Sequence, residues 1–170
     1  MKTMVLLTGA TGFLGAQIAR RLIQKADYTI TALVRAEDDE RARRRLSRAW
    51  WDWHELAEAI GTRVQVVCGD VSAPRLGLDA PTYDALVHEV THIIHGAADL
   101  RVNAPIQELR RTNVQGTANL LDFARAVQRD HELARFSHVS TAYVCGGRRG
   151  NVPEEALGDE FGFSCAYEFS

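Results

Sequence analysis

Two hydroxyl-bearing sites and one glycine turn are the residues of this chain best suited to chemistry. Ser140-Thr141 closes an apolar run, and Tyr167 stands three residues before the C-terminal Ser170. A threonine and a tyrosine can both hydrogen-bond an oxygen on which negative charge develops, and a tyrosine can also pass it a proton. Far upstream, Thr8-Gly9-Ala10-Thr11-Gly12-Phe13-Leu14-Gly15 follows the apolar run Met4–Leu7 and precedes Ile18, Ala19, Leu22 and Ile23 at helical spacing. A strand feeding a glycine turn that opens a helix presents unpaired N–H groups and a partial positive charge, a ready site for phosphate. Gly9 is expected to permit the tight turn, Gly12 close approach to a pyrophosphate, and Gly15 close packing of helix on strand.

The ends of other apolar runs carry further candidates. Arg35 follows Tyr28–Val34, where an acidic residue would hold a ribose 2′-hydroxyl; a forked guanidinium suits a 2′-phosphate instead. Arg45 is a second candidate for that phosphate, although Arg41, Arg43, Arg44, Arg45 and Arg48 as a group read as a solvated helix face. Gly69-Asp70-Val71 ends the next run. Its carboxylate suits either an adenine amino group or the capping of a turn, and both readings stand. Gly96-Ala97-Ala98 would let a flat ring lie against the backbone. His88, His92 and His95 make no metal set, because the last two share a strand at odd spacing and no cysteine or carboxylate completes them. Trp50, Trp51 and Trp53 are expected to pack a helix, since no basic groove accompanies them for nucleic acid.

The elements that must position these groups alternate between strand and helix, which predicts an α/β domain with a mostly parallel sheet covered on both faces. Strands are expected at Met4–Leu7, Tyr28–Val34, Arg63–Cys68, Thr91–His95 and Phe136–Ser140. Helices are expected after Gly15, over Glu37–Ile60 with a break near Trp50–Asp52, and over Thr82–Val90. A long one over Pro105–Asp130 would turn Ile106, Leu109, Val114, Leu120, Leu121 and Phe123 inward, and Cys165–Ser170 could begin another. With 170 residues, 46% hydrophobic, 25% charged and a net charge of −2, the chain reads as a single domain with no bias toward nucleic acid or an anionic membrane. No apolar stretch reaches the ~18 residues of a membrane span. Three scattered cysteines suit reduced thiols in a cytoplasm.

Taken together, these motifs resemble the extended short-chain dehydrogenase/reductase family, most closely its thioester reductase and fatty acyl-CoA reductase (male-sterility-like) branch. The resemblance rests on TGATGFLG at 8–15, LVRA at 33–36, ARRRL at 42–46 and GDVSAPRLGL at 69–78. It continues through IIHGAA at 93–98, NVQGTANLL at 113–121, HVSTAYVCG at 138–146 and AYEFS at 166–170. It implies a Rossmann-type doubly wound sheet and NADPH as cofactor. Gly9, Thr11, Gly12, Phe13, Leu14, Gly15, Arg35, Arg45, Asp70, Val71, Gly96, Ala97 and Ala98 would hold that cofactor. Thr141 with Ser140 would supply the active-site hydroxyl, Tyr167 the catalytic tyrosine, and Asn113 would support them.

The implied activity is reduction of an acyl thioester, on CoA or a carrier protein, to aldehyde or alcohol. A ketone or nucleotide-sugar reductase and a non-catalytic NADP-binding module are the alternatives on the same scaffold. The family's tyrosine belongs to a Tyr-x-x-x-Lys pattern whose lysine would be the residue after Ser170. The 170 residues are therefore expected to be the cofactor-binding part of a longer enzyme, inactive alone, with a sheet edge open to self-association.

Overall fold

A computed structural model describes residues 3–170. Five strands form one sheet: β1 (Thr3–Thr8), β2 (Tyr28–Val34), β3 (Val64–Cys68), β4 (His92–His95) and β5 (Arg135–His138). All four pairings are parallel and the order is β3-β2-β1-β4-β5. The chain thus winds outward from β1 to β3, then crosses back to place β4 on the other side of β1. That reversal opens a crevice at the carboxyl ends of β1 and β4.

Helices α1 (Phe13–Ile23), α2 (Asp39–Ala49) and α3 (His54–Ala59) cover one face, and α4 (Ala80–Glu89), α5 (Ile106–Arg110) and α6 (Gly116–Asp130) belong to the returning half. Strand side chains alternate between faces, so neighbours in β1 enter different cores. Leu7 packs with Ala16, Ala19, Leu46, Trp50 and Leu56, whereas Leu6 packs with Leu86, Leu120, Phe123 and Val127. Helices α2 and α4 each begin at an aspartate cap. Asp38 accepts a hydrogen bond from the Arg41 amide (2.7 Å) and Asp79 from the Thr82 amide (2.8 Å). α4 therefore starts at Ala80, ahead of the expected Thr82, with Pro81 in its first turn.

Three expectations need correction. The helix expected over 105–130 is interrupted by a wide π turn at Arg111–Gln115, between α5 and α6. Val114 is exposed and Leu121 lies at the edge, while Leu109, Leu120 and Phe123, which share one helical face, are fully buried. β5 ends at His138, which leaves Ser140-Thr141 beyond the strand. Residues 165–170 form a turn closed by the Ser170 amide on the Tyr167 carbonyl, not a helix. Among the described residues, no helix is long and apolar enough to cross a membrane.

Candidate functional site

One cleft of about 1400 Å³ runs across the carboxyl ends of the strands, through the switch point between β1 and β4. All seventeen residues proposed from the sequence for cofactor binding or chemistry line it. The cleft has three regions: the glycine turn, the ends of β2 and β3, and the segments holding Asn113, Thr141 and Tyr167.

At the glycine turn, Gly9 has φ +75°, a left-handed conformation that other residues rarely adopt. A Cβ on Gly9 would overlap the Gly96 carbonyl and the Ala97 amide, so this glycine also lets β1 and β4 approach. A Cβ on Gly15 would overlap the Gly9 carbonyl and crowd Ala10, in line with its expected role in helix-on-strand packing. Gly12 caps α1 without a side-chain hydrogen bond, and the first turn of α1 holds no acidic residue. The helix thus opens into the cleft with its amides uncapped by any side chain. This glycine-lined cradle fits a pyrophosphate. Trp50 secures the turn from behind: it is fully buried, and its indole N–H donates to the Ala10 carbonyl at 2.9 Å. Trp53 lies under the Arg20 guanidinium, 3.9 Å from the ring centroid, but Trp51 is 75% exposed and packs no core. That exposure corrects the expectation for Trp51.

At the ends of β2 and β3, Arg35 is exposed and holds none of the ion pairs among the described residues. Arg45 donates to the Arg35 backbone carbonyl at 2.6 Å, fixing the strand end and bringing two guanidinium groups to one wall of the cleft. The Asp70 carboxylate caps a turn, with Oδ1 accepting from the Ser72 amide (2.9 Å) and hydroxyl (2.8 Å). Asp70 nonetheless lines the cleft, so the turn contact and the cleft position coexist. Asn119 of α6 donates to the carbonyls of Val71 (2.8 Å) and Ala73 (3.1 Å), tying this loop to the far helix. Arg75 and Leu76 take left-handed φ values of 53° and 61°; the buried Leu76 side chain anchors the bend.

Thr141 follows β5, and its Oγ1 accepts from the Tyr143 amide at 3.2 Å, capping the short turn Ala142–Cys145. The Tyr143 and Tyr167 rings pack edge to face at 6.5 Å. Asn113 sits in the π turn, a distortion that re-aims side chains and often marks a functional site. Its Oδ1 accepts from the Asp99 amide (2.8 Å), and its Nδ2 donates to the Asp99 carbonyl (3.1 Å) and Ser170 Oγ (2.8 Å). Ser170 Oγ in turn donates to the Tyr167 carbonyl at 2.8 Å. Asn113 is therefore linked to the tyrosine segment by a continuous hydrogen-bond path. Nearby, Arg101 hydrogen-bonds Asp99 and bridges to Glu108 at 2.8 Å; the Arg101 contact holds the Asp99 carboxyl below its ordinary range.

Residues 7–162 match the male sterility protein family. The chain belongs to that family. A relative named as an isonitrile lipopeptide synthase, from Mycobacterium tuberculosis, is 43% identical over 82% of the chain, which spans only 6% of the synthase. The crystal structure of the terminal R domain from the myxalamid PKS-NRPS biosynthetic pathway superposes with a TM-score of 0.84 at 29% identity. It covers 98% of this chain and 42% of that one. The reductase (R) domain of a non-ribosomal peptide synthetase from Mycobacterium tuberculosis gives a TM-score of 0.70 at 40% identity, over 85% of this chain and 34% of its own. The chain thus spans less than half the length of these relatives.

In this family member, the cleft also holds partners that sequence reasoning passed over. Trp50, Asn119 and Thr117 support the lining from beneath, and His95 sits fully buried at the end of β4. A visible signal existed for one of them: Thr8 and His95 are polar residues closing apolar strands, and the sheet pairs them side by side. His88 instead bonds Asp130 at 2.7 Å near the far end of the molecule, away from His95.

Proposed function

We propose that this chain is the NADPH-binding part of a longer reductase that converts acyl thioesters, on CoA or a carrier protein, to aldehyde or alcohol. The observation that carries this reading is the single cleft joining an uncapped glycine turn and Arg35 to Asn113, Thr141 and Tyr167. Membership of the male sterility family and likeness to reductase domains of peptide synthetases support it.

In this reading Gly9–Gly15 hold the pyrophosphate, and Arg35 with Arg45 hold the 2′-phosphate. Asp70 and Val71 flank the adenine, and Gly96–Ala98 form the wall beside the nicotinamide. When bound, NADPH supplies the hydride. Thr141, with Ser140 beside it, and Tyr167 donate hydrogen bonds to the thioester carbonyl oxygen as negative charge builds there. Tyr167 gives up its proton, and Asn113 keeps the tyrosine segment in place. The tyrosine proton goes to that oxygen; as the carbon–sulfur bond breaks the same proton passes to the departing sulfur, which leaves as the carrier thiol, and an aldehyde remains. A free tyrosine has a pKa of ~10, so this role needs a neighbouring cation. A lysine following Ser170 in the longer protein would supply it. The unpaired edge of β5 is where a further strand or a second copy would add. Unpaired Cys68, Cys145 and Cys165 fit a reducing cytoplasm.

The deciding experiment supplies the full-length protein with NADPH and acyl-CoA or carrier-bound thioesters, measuring aldehyde and free thiol together. Aldehyde plus any alcohol equal to the free thiol, with one NADPH oxidised per aldehyde and two per alcohol, is the expected result. NADPH oxidation only with a ketone or nucleotide-sugar would move the protein to another substrate class. Tight NADPH binding with no turnover would make it a binding module.

A further inference from the structure

His95 is the last residue of β4 and pairs in register with Thr8, the last residue of β1. It is 1% exposed, yet each ring nitrogen meets a hydroxyl: Nδ1 lies 2.8 Å from Thr8 Oγ1, and Nε2 lies 3.1 Å from Thr117 Oγ1. The chemistry of the outer partners fixes the direction of every bond. Thr117 has one hydroxyl proton, and it lies 2.6 Å from the Asn113 carbonyl, which can only accept. Thr117 Oγ1 must therefore accept from the histidine, so Nε2 carries the proton. Burial and the neighbouring His138 keep the ring neutral, lowering its pKa from 6.5 to about 4. Nδ1 is then a bare acceptor, and Thr8 donates to it. Thr8 Oγ1 in turn accepts from the Ala97 amide at 3.2 Å. The resulting order is Ala97 N–H to Thr8, Thr8 to His95, His95 to Thr117, and Thr117 to the Asn113 carbonyl. Every donor is used once and points the same way.

The two ends of this relay are not equivalent places. Ala97 lies in the cleft wall assigned above to the nicotinamide, and Asn113 lies in the π turn tied to the Tyr167 segment. We propose that His95 is a positioning residue that, locked as the Nε2–H tautomer, sets the Ala97 wall and the Asn113 turn relative to each other. This proposal rests on the reading of the cleft as a dinucleotide reductase site. His95 touches neither reacting group, and it acts only through Thr8 and Thr117. Both ring nitrogens are satisfied, and both of their partners lead on to the cleft.

The test combines a tautomer measurement with a dinucleotide titration on the chain labelled with ¹⁵N-histidine. At pH 7 the long-range proton–nitrogen spectrum of His95 should show one neutral species protonated at Nε2. Thr8→Val should keep that tautomer, because the Nε2 contact is untouched. Thr117→Val removes the only acceptor for Nε2–H, so the proton should move to Nδ1, with Thr8 becoming its acceptor. NADP⁺ titration should then show each single substitution weakening binding about tenfold, the loss expected when a buried hydrogen bond of about 1.4 kcal/mol is broken. The double substitution should weaken binding about tenfold in all, no more than one single and not the product of the two, because both act through one ring. Nδ1 protonation or a charged ring in the unsubstituted chain would overturn the proposal, as would losses that multiply. If NADP⁺ fails to bind at all, the reductase reading falls. The bond order through His95 is then decided by the tautomers of the parent chain and of Thr8→Val alone.

Discussion

An exposed arginine at a strand end normally contributes little, because water screens its charge and its side chain is free to move. Arg35 differs in that Arg45 clamps its backbone carbonyl and places a second guanidinium on the same wall. A phosphate meeting both would gain charge-assisted bonds with little ordering left to do. Arg35→Ala should therefore raise the Kd for NADPH by about ten- to a hundredfold, the effect of losing about 1.5–3 kcal/mol. The Kd for NADH should change by less than about threefold, since the 2′-hydroxyl carries no charge for the guanidinium to meet. Parallel titrations with the two dinucleotides make the comparison, and equal losses would mean that Arg35 does not read the 2′-phosphate. Tyr167 is the other residue whose role separates cleanly. Tyr167→Phe keeps the ring packed against Tyr143 but removes the hydroxyl. It should lower kcat for thioester reduction by about a hundredfold or more while leaving the NADPH Kd unchanged; a kcat near that of the parent would remove the tyrosine from the chemistry.

Among the elements, the β1–α1 unit was legible in the sequence almost residue by residue, because its glycines answer to local sterics. Gly15 is an example: helix propensity alone favours alanine there by about 0.5–1 kcal/mol. The Gly9 carbonyl occupies the space a Cβ would need, and backbone cannot step aside as a flexible side chain can. Gly15→Ala should thus cost about 1–3 kcal/mol, an overpacking penalty larger than the propensity gain. The readout is a fall in Tm of roughly 2–4 °C for each kcal/mol, together with weaker NADPH binding. An unchanged or raised Tm would show that the turn can relax around the extra carbon. Other elements were less legible, for reasons that lie outside their own sequence. Val114 and Leu121 are expected to turn inward, but the first lies exposed within the π turn at Arg111–Gln115 and the second at the edge of the face that Leu109 and Leu120 share. What stabilises that turn is distant in the chain: Asn113 is held by Asp99 and Ser170, and Thr117 by His95. Periodicity cannot report such contacts. The same holds for Asp70, whose carboxylate serves a local turn while its position on the cleft wall is set by Asn119 from α6.

At the scale of the whole molecule, the sheet order places the ends of β1 and β4 side by side, and one buried histidine joins them. That makes the stability of the entire domain sensitive to the charge on His95. Folded, the ring has a pKa of about 4; unfolded, it returns to about 6.5. Between those values the unfolded chain binds the extra proton and the folded chain does not, so stability rises with pH across that window. Above about 6.5 the contribution is complete, and on acidification it is lost progressively until about pH 4. The full difference is worth about 3 kcal/mol, of which about 2 kcal/mol should disappear between pH 7 and pH 5. The His138 ring packs 5.1 Å away and adds to the lowering that burial causes. Carboxylates held below their ordinary range by hydrogen bonds, such as Asp79 and Asp99, lose their contribution only at lower pH, within the carboxylate range. Urea unfolding of the parent and of His95→Gln at pH 5 and pH 7 isolates the histidine. Glutamine can place an N–H near the Nε2 position and so keep a donor for Thr117, but it has no proton to gain in this range. The parent should lose about 2 kcal/mol more than the variant between the two pH values. Equal losses would mean that the ring gains its proton in the fold at the same pH as in the unfolded chain, and burial would then not be what keeps it neutral.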